Sequence, residues 1–99
     1  MGEKGSFLVG RIGIAATYEL LAEEAAELAH AAQKLARAVR KENPVFGHTG
    51  EELVVNLHEE LADVEICVRE LREADGLVAD LVKNFVQEKT KRMHERFGG

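Results

Sequence analysis

Apolar side chains recur along the first half of the chain with the alternating four- and three-residue spacing of an amphipathic helix. The stripe comprises Ile14, Tyr18, Leu21, Ala25, Leu28, Ala32, Leu35 and Val39. Alanines flank this stripe, so the apolar arc is wide, and a helix of this kind usually touches more than one neighbour. The pattern predicts a long helix over residues 14–41.

A second stripe with the same spacing follows a break at Asn43-Pro44, because proline disfavours helix in the residue before it. Residues 43–50 are predicted to form a loop in which Thr49 caps the next helix, with Glu52 completing a capping box. The second stripe comprises Leu57, Leu61, Val64, Val68 and Leu71.

Asp75-Gly76 ends the second helix, and a third helix is predicted to begin near Leu77. Its apolar side comprises Leu77, Leu81, Val82, Phe85 and Val86. We therefore expect one all-α domain over residues 1–99, with loosely ordered ends at 1–12 and 97–99. The first two helices form a long antiparallel hairpin, and the third packs on it. Since this core is thin, we expect homo-oligomerisation, most simply a dimer that completes a four-helix-bundle-like core.

Composition narrows the class of protein. The single cysteine excludes an internal disulfide or a zinc site built on paired cysteines, and it suits a reducing cytoplasm. No run of about 18 apolar residues is present, so we expect no membrane span. The net charge of −5 gives no overall field for a nucleic-acid polymer. Residues 1–82 carry 8 basic and 16 acidic side chains, whereas residues 83–99 carry 5 and 2.

Each of the two long predicted helices carries a short acidic motif near its middle. The segment LAEEAAEL, residues 21–28, matches LHEELADV, residues 57–64, by type at six of eight positions. Each motif holds two acids three residues apart, which places them on nearly one face of a helix. We expect them at the edge of the buried face, where an antiparallel hairpin brings the two pairs together. The pairs are Glu24 with Glu27 and Glu60 with Asp63.

Four converging carboxylates need a cation. Two carboxylates ~6 Å apart repel by roughly 3 kcal/mol at an effective dielectric constant of ~20. Because all of the ligands are hard oxygens, Mg²⁺ or Mn²⁺ is the expected ion. The alternative is a pair of solvated acidic faces, since long amphipathic helices are rich in glutamate.

Other polar residues have simpler interpretations. Glu23 and Glu59 point further out than the paired acids, either as surface charge or as groups that assist a metal or position water. Glu27 with His30 spells the ExxH element of di-iron sites, but the second helix carries ExxD instead. Cys67 is expected to be a buried structural thiol.

The paired motif resembles that of the MazG-like all-α nucleoside triphosphate pyrophosphohydrolases. These enzymes carry EExxE on one helix, here Glu23, Glu24 and Glu27, and ExxD on the next, here Glu60 and Asp63. The resemblance covers residues 14–73 well and residues 77–97 loosely. It implies Mg²⁺-dependent hydrolysis of a nucleoside triphosphate between the α and β phosphates, in a homodimer or a dimer of dimers.

The resemblance also implies roles for individual residues. The metal ligands are Glu24, Glu27, Glu60 and Asp63. The general base is Glu24 or Glu27, with Glu23 as the third candidate. Lys89 and Arg92 match the basic residues that reach the triphosphate.

The sequence departs from the family pattern at two places. The connection between the motifs, 32 residues from Leu28 to Glu59, is long, and Met93 stands where an asparagine is frequent. Two alternatives stay open: a phosphoribosyl-ATP pyrophosphohydrolase, and a non-enzymatic helical-hairpin adaptor that needs no metal.

Overall fold

The computed structural model of the chain describes residues 7–40 and 50–98. The described residues form helices and contain no strand, so the predicted all-α class is confirmed. A short π-helical turn, His94–Gly98, continues the last helix. The helices are α1, Phe7–Ile12; α2, Ile14–Arg40; α3, Gly50–Ala74; and α4, Gly76–Met93.

The predicted helix boundaries agree with the structure where it describes them. Helix α2 begins at Ile14, as predicted, and continues to Arg40, the last residue that the structure describes before residue 50. Helix α3 ends at Ala74, before the predicted break at Asp75-Gly76. The predicted loop over residues 43–49, including the capping residue Thr49, lies outside the described residues.

Residues 7–12 form helix α1, where the sequence predicted a loosely ordered end. Gly13 separates α1 from α2 with a φ of 87°, a left-handed conformation that glycine adopts without strain. Its amide donates to the Val9 carbonyl at 2.8 Å. The Thr17 hydroxyl, wholly buried, donates to the Gly13 carbonyl at 2.8 Å. The prediction missed this helix because its six residues are too few for a periodic pattern.

A buried carboxylate fixes α1 against α3. Glu70 is 6% exposed, and its Oε1 accepts hydrogen bonds from the backbone amides of Leu8, at 2.6 Å, and Val9, at 3.3 Å. These amides belong to the first turn of α1, where backbone donors have no partner within the helix. Glu70 therefore accepts from the amides at the start of α1 as a capping residue would, although it belongs to a different helix, α3.

Helices α2 and α3 pack along each other. The line of buried and half-buried residues on α2 is rotated by roughly 50° from the predicted stripe. Tyr18 is 54% exposed and Val39 is 72% exposed, whereas Ala31 is buried. The wide apolar arc permits this rotation, because small residues flank the predicted stripe on both sides. The observed line on α2 is Thr17, Leu21, Glu24, Leu28, Ala31, Leu35 and Ala38.

Helix α3 is rotated in the same sense. Leu61, in the predicted stripe, is 44% exposed, and Cys67 is buried instead of half-buried Val68. The observed line on α3 is Leu53, Leu57, Glu60, Val64, Cys67 and Leu71. On both helices, the residues that directly precede predicted stripe positions therefore lie in the contact.

Helix α4 contacts α3 but, within the described residues, neither α1 nor α2. Arg72 near the end of α3 lines one groove with Lys83 and Val86 of α4. Phe85, on the predicted apolar side, remains 55% exposed. The radius of gyration is 16.8 Å, against about 13 Å for a compact chain of this length. No helix in the described residues is long and apolar enough to cross a membrane.

Candidate metal centre

The rotation of α2 and α3 places Glu24 and Glu60 in the contact between the two helices. Both were predicted at the edge of the buried face, but each lies on its helix's line of contact and is half-buried. Leu28 follows Glu24 by four residues and Val64 follows Glu60 by four, so apolar neighbours adjoin each glutamate on the same face. Each helix therefore interrupts its apolar face with a carboxylate at the same relative position.

Carboxylates from the two helices converge at this point. One oxygen each from Glu24, Glu60 and Asp63 lies within 4.8 Å of the others. The charges of Glu27, Asp63 and Glu60 all act on Glu24, and those of Glu27 and Asp63 act on Glu60. The structure thus brings three of the four predicted acids into one group, and the fourth, Glu27, lies close enough for its charge to act on Glu24 and Glu60.

The four acids are not equivalent. Glu24 and Glu60 are half-buried, whereas Glu27 and Asp63 are exposed. Glu27 lies outside the closest group of three, but its charge acts on both Glu24 and Glu60. The cluster consequently has a half-buried floor and a rim open to solvent.

The pKa values of the two half-buried acids respond to this crowding. Burial raises the pKa of Glu24 above its ordinary 4.5, and the charges of Glu27 and Asp63 raise it further. Burial also raises the pKa of Glu60, and the charges of Glu27 and Asp63 raise it further. Every contribution has the same sign, and no described cation offsets it. The cluster holds more negative charge than the surrounding protein compensates.

One oxygen of the cluster is left without a partner. Glu60 Oε1 is fully buried and, among the described residues, accepts no hydrogen bond. A buried polar atom with no partner is costly, and a carboxylate oxygen more so. A hard cation bound between the two helices would give this atom a partner and would also reduce the repulsion. The donor set, all carboxylate oxygen, fits Mg²⁺ or Mn²⁺.

Cys67 lies in the same contact, one turn beyond Asp63. It is a free thiol with 2% exposure, as predicted for a structural cysteine. Burial raises its pKa, and the charges of Glu24, Asp63 and Glu70 raise it further. The thiol stays protonated at neutral pH, so it packs beside the carboxylates without adding charge.

The remaining predicted site residues lie apart from the cluster. Glu23 is exposed and is not among the three closest carboxylates. Lys89 and Arg92 line a groove of about 600 Å³, and the other described residues that line it also belong to α4 and the following turn. Arg92 pairs with Glu88 at 3.6 Å. Within one chain, the structure does not bring the predicted triphosphate-binding cations to the carboxylates.

Glu70 was not predicted from the sequence as a buried or functional residue. Glu70 directly precedes the stripe residue Leu71, just as Glu24 directly precedes the stripe residue Ala25. It therefore has the same position relative to the stripe as the acids that were predicted at the edge of the buried face. That shared position was the available signal.

Comparison of the sequence with protein families and curated proteins, and of the fold with solved structures, finds no match. The resemblance of the acidic motifs to the pyrophosphohydrolases therefore stays a prediction.

Proposed function

We propose that this chain is a Mg²⁺-dependent hydrolase that cleaves a nucleoside or deoxynucleoside triphosphate between the α and β phosphates. The products are a nucleoside monophosphate and pyrophosphate. The observation that carries the proposal is the carboxylate cluster between α2 and α3, in which Glu60 Oε1 is buried without a partner. A structural role does not explain why two half-buried acids, Glu24 and Glu60, meet in a core this thin without a counter-charge among the described residues.

Glu24, Glu27, Glu60 and Asp63 are the proposed ligands of Mg²⁺, with Mn²⁺ as a substitute. Bound metal supplies charge neutralisation for the phosphates and lowers the pKa of a coordinated water. The half-buried position of Glu24 and Glu60 supports ligand roles for them, because their side chains are held by packing on both helices. Exposed Asp63 completes the group from the rim.

Glu27 is the first candidate for the general base. It faces solvent and lies outside the closest three-oxygen group, so it is able to accept a proton from an attacking water. Glu24 is the second candidate, although its contacts with the other carboxylates suit a ligand better. Glu23 remains the third, further from the cluster. Lys89 and Arg92 are the proposed groups that bind the triphosphate, in a homodimer or a dimer of dimers.

A pyrophosphate-release assay tests the proposal. The eight common NTPs and dNTPs, together with phosphoribosyl-ATP, are incubated with the full chain and Mg²⁺. We expect turnover of at least one nucleoside triphosphate, which EDTA abolishes. Turnover of phosphoribosyl-ATP alone would indicate the related activity instead. Absence of turnover on every substrate would contradict the proposal.

Matched variants connect that activity to the cluster. Asp63→Asn and Glu60→Gln keep shape but remove a ligand charge, and we expect each to lower kcat/KM at least 100-fold. Glu65→Gln, on the exposed side of α3, is the control and keeps the activity of the unaltered chain. Full activity in Asp63→Asn would remove the cluster from the mechanism.

A further inference from the structure

The chain exposes more surface than a compact protein of its mass. Its accessible surface is 7538 Å², whereas about 5,600 Å² is expected for a folded chain of 10.9 kDa. The excess is roughly 1,900 Å², and a stable dimer needs about 800 Å² from each partner. The chain therefore has enough uncovered surface for a second copy.

The uncovered surface carries opposite charges at two separate places. On α3, an acidic groove of about 310 Å³ is lined by Glu51, Glu52, Val55, Asn56 and Glu59. On α4 and the following turn, a basic groove of about 600 Å³ is lined by Lys89, Arg92, Met93, Glu95 and Arg96. Each groove also holds one apolar side chain, Val55 in the first and Met93 in the second. The two grooves match in charge and in this apolar element.

The two grooves are separate within one chain. Of the residues that the structure describes, only the first half of α3 lines the acidic groove, and only the C-terminal segment lines the basic groove. Helix α4 starts beyond the opposite end of α3, and none of the residues in the described ranges 7–40 and 50–98 lines both grooves. In a dimer with a twofold axis, the acidic groove of each copy faces the basic groove of the other copy. The two contacts are equivalent, and the assembly is closed.

We propose that the basic groove of α4 in one copy binds the acidic groove of α3 in a second copy of this chain. The proposal extends the homodimer of the proposed function by naming the contact surfaces. It has a consequence for the candidate metal centre: Glu59 adjoins Glu60 in sequence, so the partner's basic segment comes to lie near the carboxylate cluster. The cations that one chain holds away from its own carboxylates are then supplied to those of its partner.

A charge-swap experiment tests the pairing by measuring association, not hydrolysis. Variant one is Glu51→Lys with Glu59→Lys, and variant two is Lys89→Glu with Arg96→Glu. All of these side chains are exposed, and circular dichroism checks that the helices persist. Sedimentation velocity in 50 mM NaCl without divalent ions gives the dissociation constant. We expect the unaltered chain to be a dimer and each variant alone to dissociate at least tenfold more readily.

The mixture of the two variants is the decisive arm. In the mixed dimer, both groove pairs again join opposite charges, so an equimolar mixture is expected to regain dimers. The control, Glu65→Lys with Glu73→Lys, reverses two exposed charges on α3 outside the groove and leaves the constant within about twofold. A monomeric unaltered chain, unaffected variants or a mixture that stays monomeric would each overturn the proposal. Since no arm needs substrate, failure here leaves the proposed hydrolysis to its own assay.

Discussion

Two regions of this molecule carry the same kind of amphipathic pattern and use it differently. The α2–α3 contact buries its apolar line, and it places Glu24 and Glu60 where, among the described residues, no cation offsets the charges of the neighbouring carboxylates. Helix α4 leaves its apolar side half exposed and carries an excess of basic residues. Apolar residues with a period of 3.6 thus indicate which face of a helix will be covered, but they do not indicate which part of the molecule or of a partner covers it. The predictions below probe this difference.

The largest expected effect is in the α2–α3 contact. Leu53 is 4% exposed, so Leu53→Ala should lower the free energy of unfolding by about 2–3 kcal/mol. Phe85→Ala on α4 should cost less than about 1 kcal/mol in the monomer, because half of the ring is already in water. Urea titration at a protein concentration below dimer formation compares the two. Equal losses would show that α4 is packed as firmly as α3.

Divalent metal should stabilise the α2–α3 contact. Mg²⁺ at 100 times its dissociation constant should add about 2.7 kcal/mol to the free energy of unfolding. Glu60→Gln should reverse the order of stability: it should melt a few degrees higher than the unaltered chain in EDTA, and lower in Mg²⁺. The reason is that the substitution removes both the repulsion and a ligand.

Thermal melts of both proteins, with and without metal, measure this crossing. A Glu60→Gln protein that gains as much from Mg²⁺ as the unaltered chain does would place the metal elsewhere.

A smaller effect is expected where α1 docks. Glu70→Ala should remove the partner of two amides and cost about 1–2 kcal/mol of local stability. Hydrogen exchange at Leu8 and Val9 measures the loss directly, with Glu73→Ala, exposed on the same helix, as control. Unchanged protection of both amides in Glu70→Ala would contradict the capping role.

The pH dependence of the metal-free chain should be the mildest effect. Because the folded pKa values of Glu24 and Glu60 are raised, the folded state binds more protons than the unfolded state does. This contribution is present below pH 4.5 and is lost as the pH rises through the folded pKa values. Urea titrations from pH 4 to pH 8 in EDTA should show a decline that is weaker in Glu24→Gln. An unaltered slope in that variant would remove Glu24 as the cause.

Local signals predicted α2, α3 and α4, because apolar spacing marks the helices and Asp75-Gly76 marks the break between the last two. The rotation of α2 and α3 was not predictable in the same way. Alanines beside the stripe make several packing lines nearly equal in apolar area, and the choice depends on the neighbouring helix. The four acids were identified because their motif repeats. The partial burial of Glu24 and Glu60 was not predicted, since an acid beside an apolar stripe is usually solvated.

The position of α4 depends on contacts that no local pattern encodes. Its apolar side is as regular as those of α2 and α3, yet within the described residues it meets only the end of α3. Lys89 and Arg92 were assigned to the triphosphate from a resemblance of motifs, which carries no information on where a helix points. Their place in one chain, away from the carboxylates, follows only from the fold.

Direct measurement of metal occupancy tests the central claim, that carboxylates of two helices form one cation site. Titration of Mn²⁺ followed by electron paramagnetic resonance counts bound ions without requiring a substrate. The account predicts one site per chain with submillimolar affinity, weakened at least tenfold in Glu60→Gln and Asp63→Asn and kept in Glu65→Gln. Mn²⁺ binding that is absent in the unaltered chain, or unchanged in both ligand variants, would contradict it.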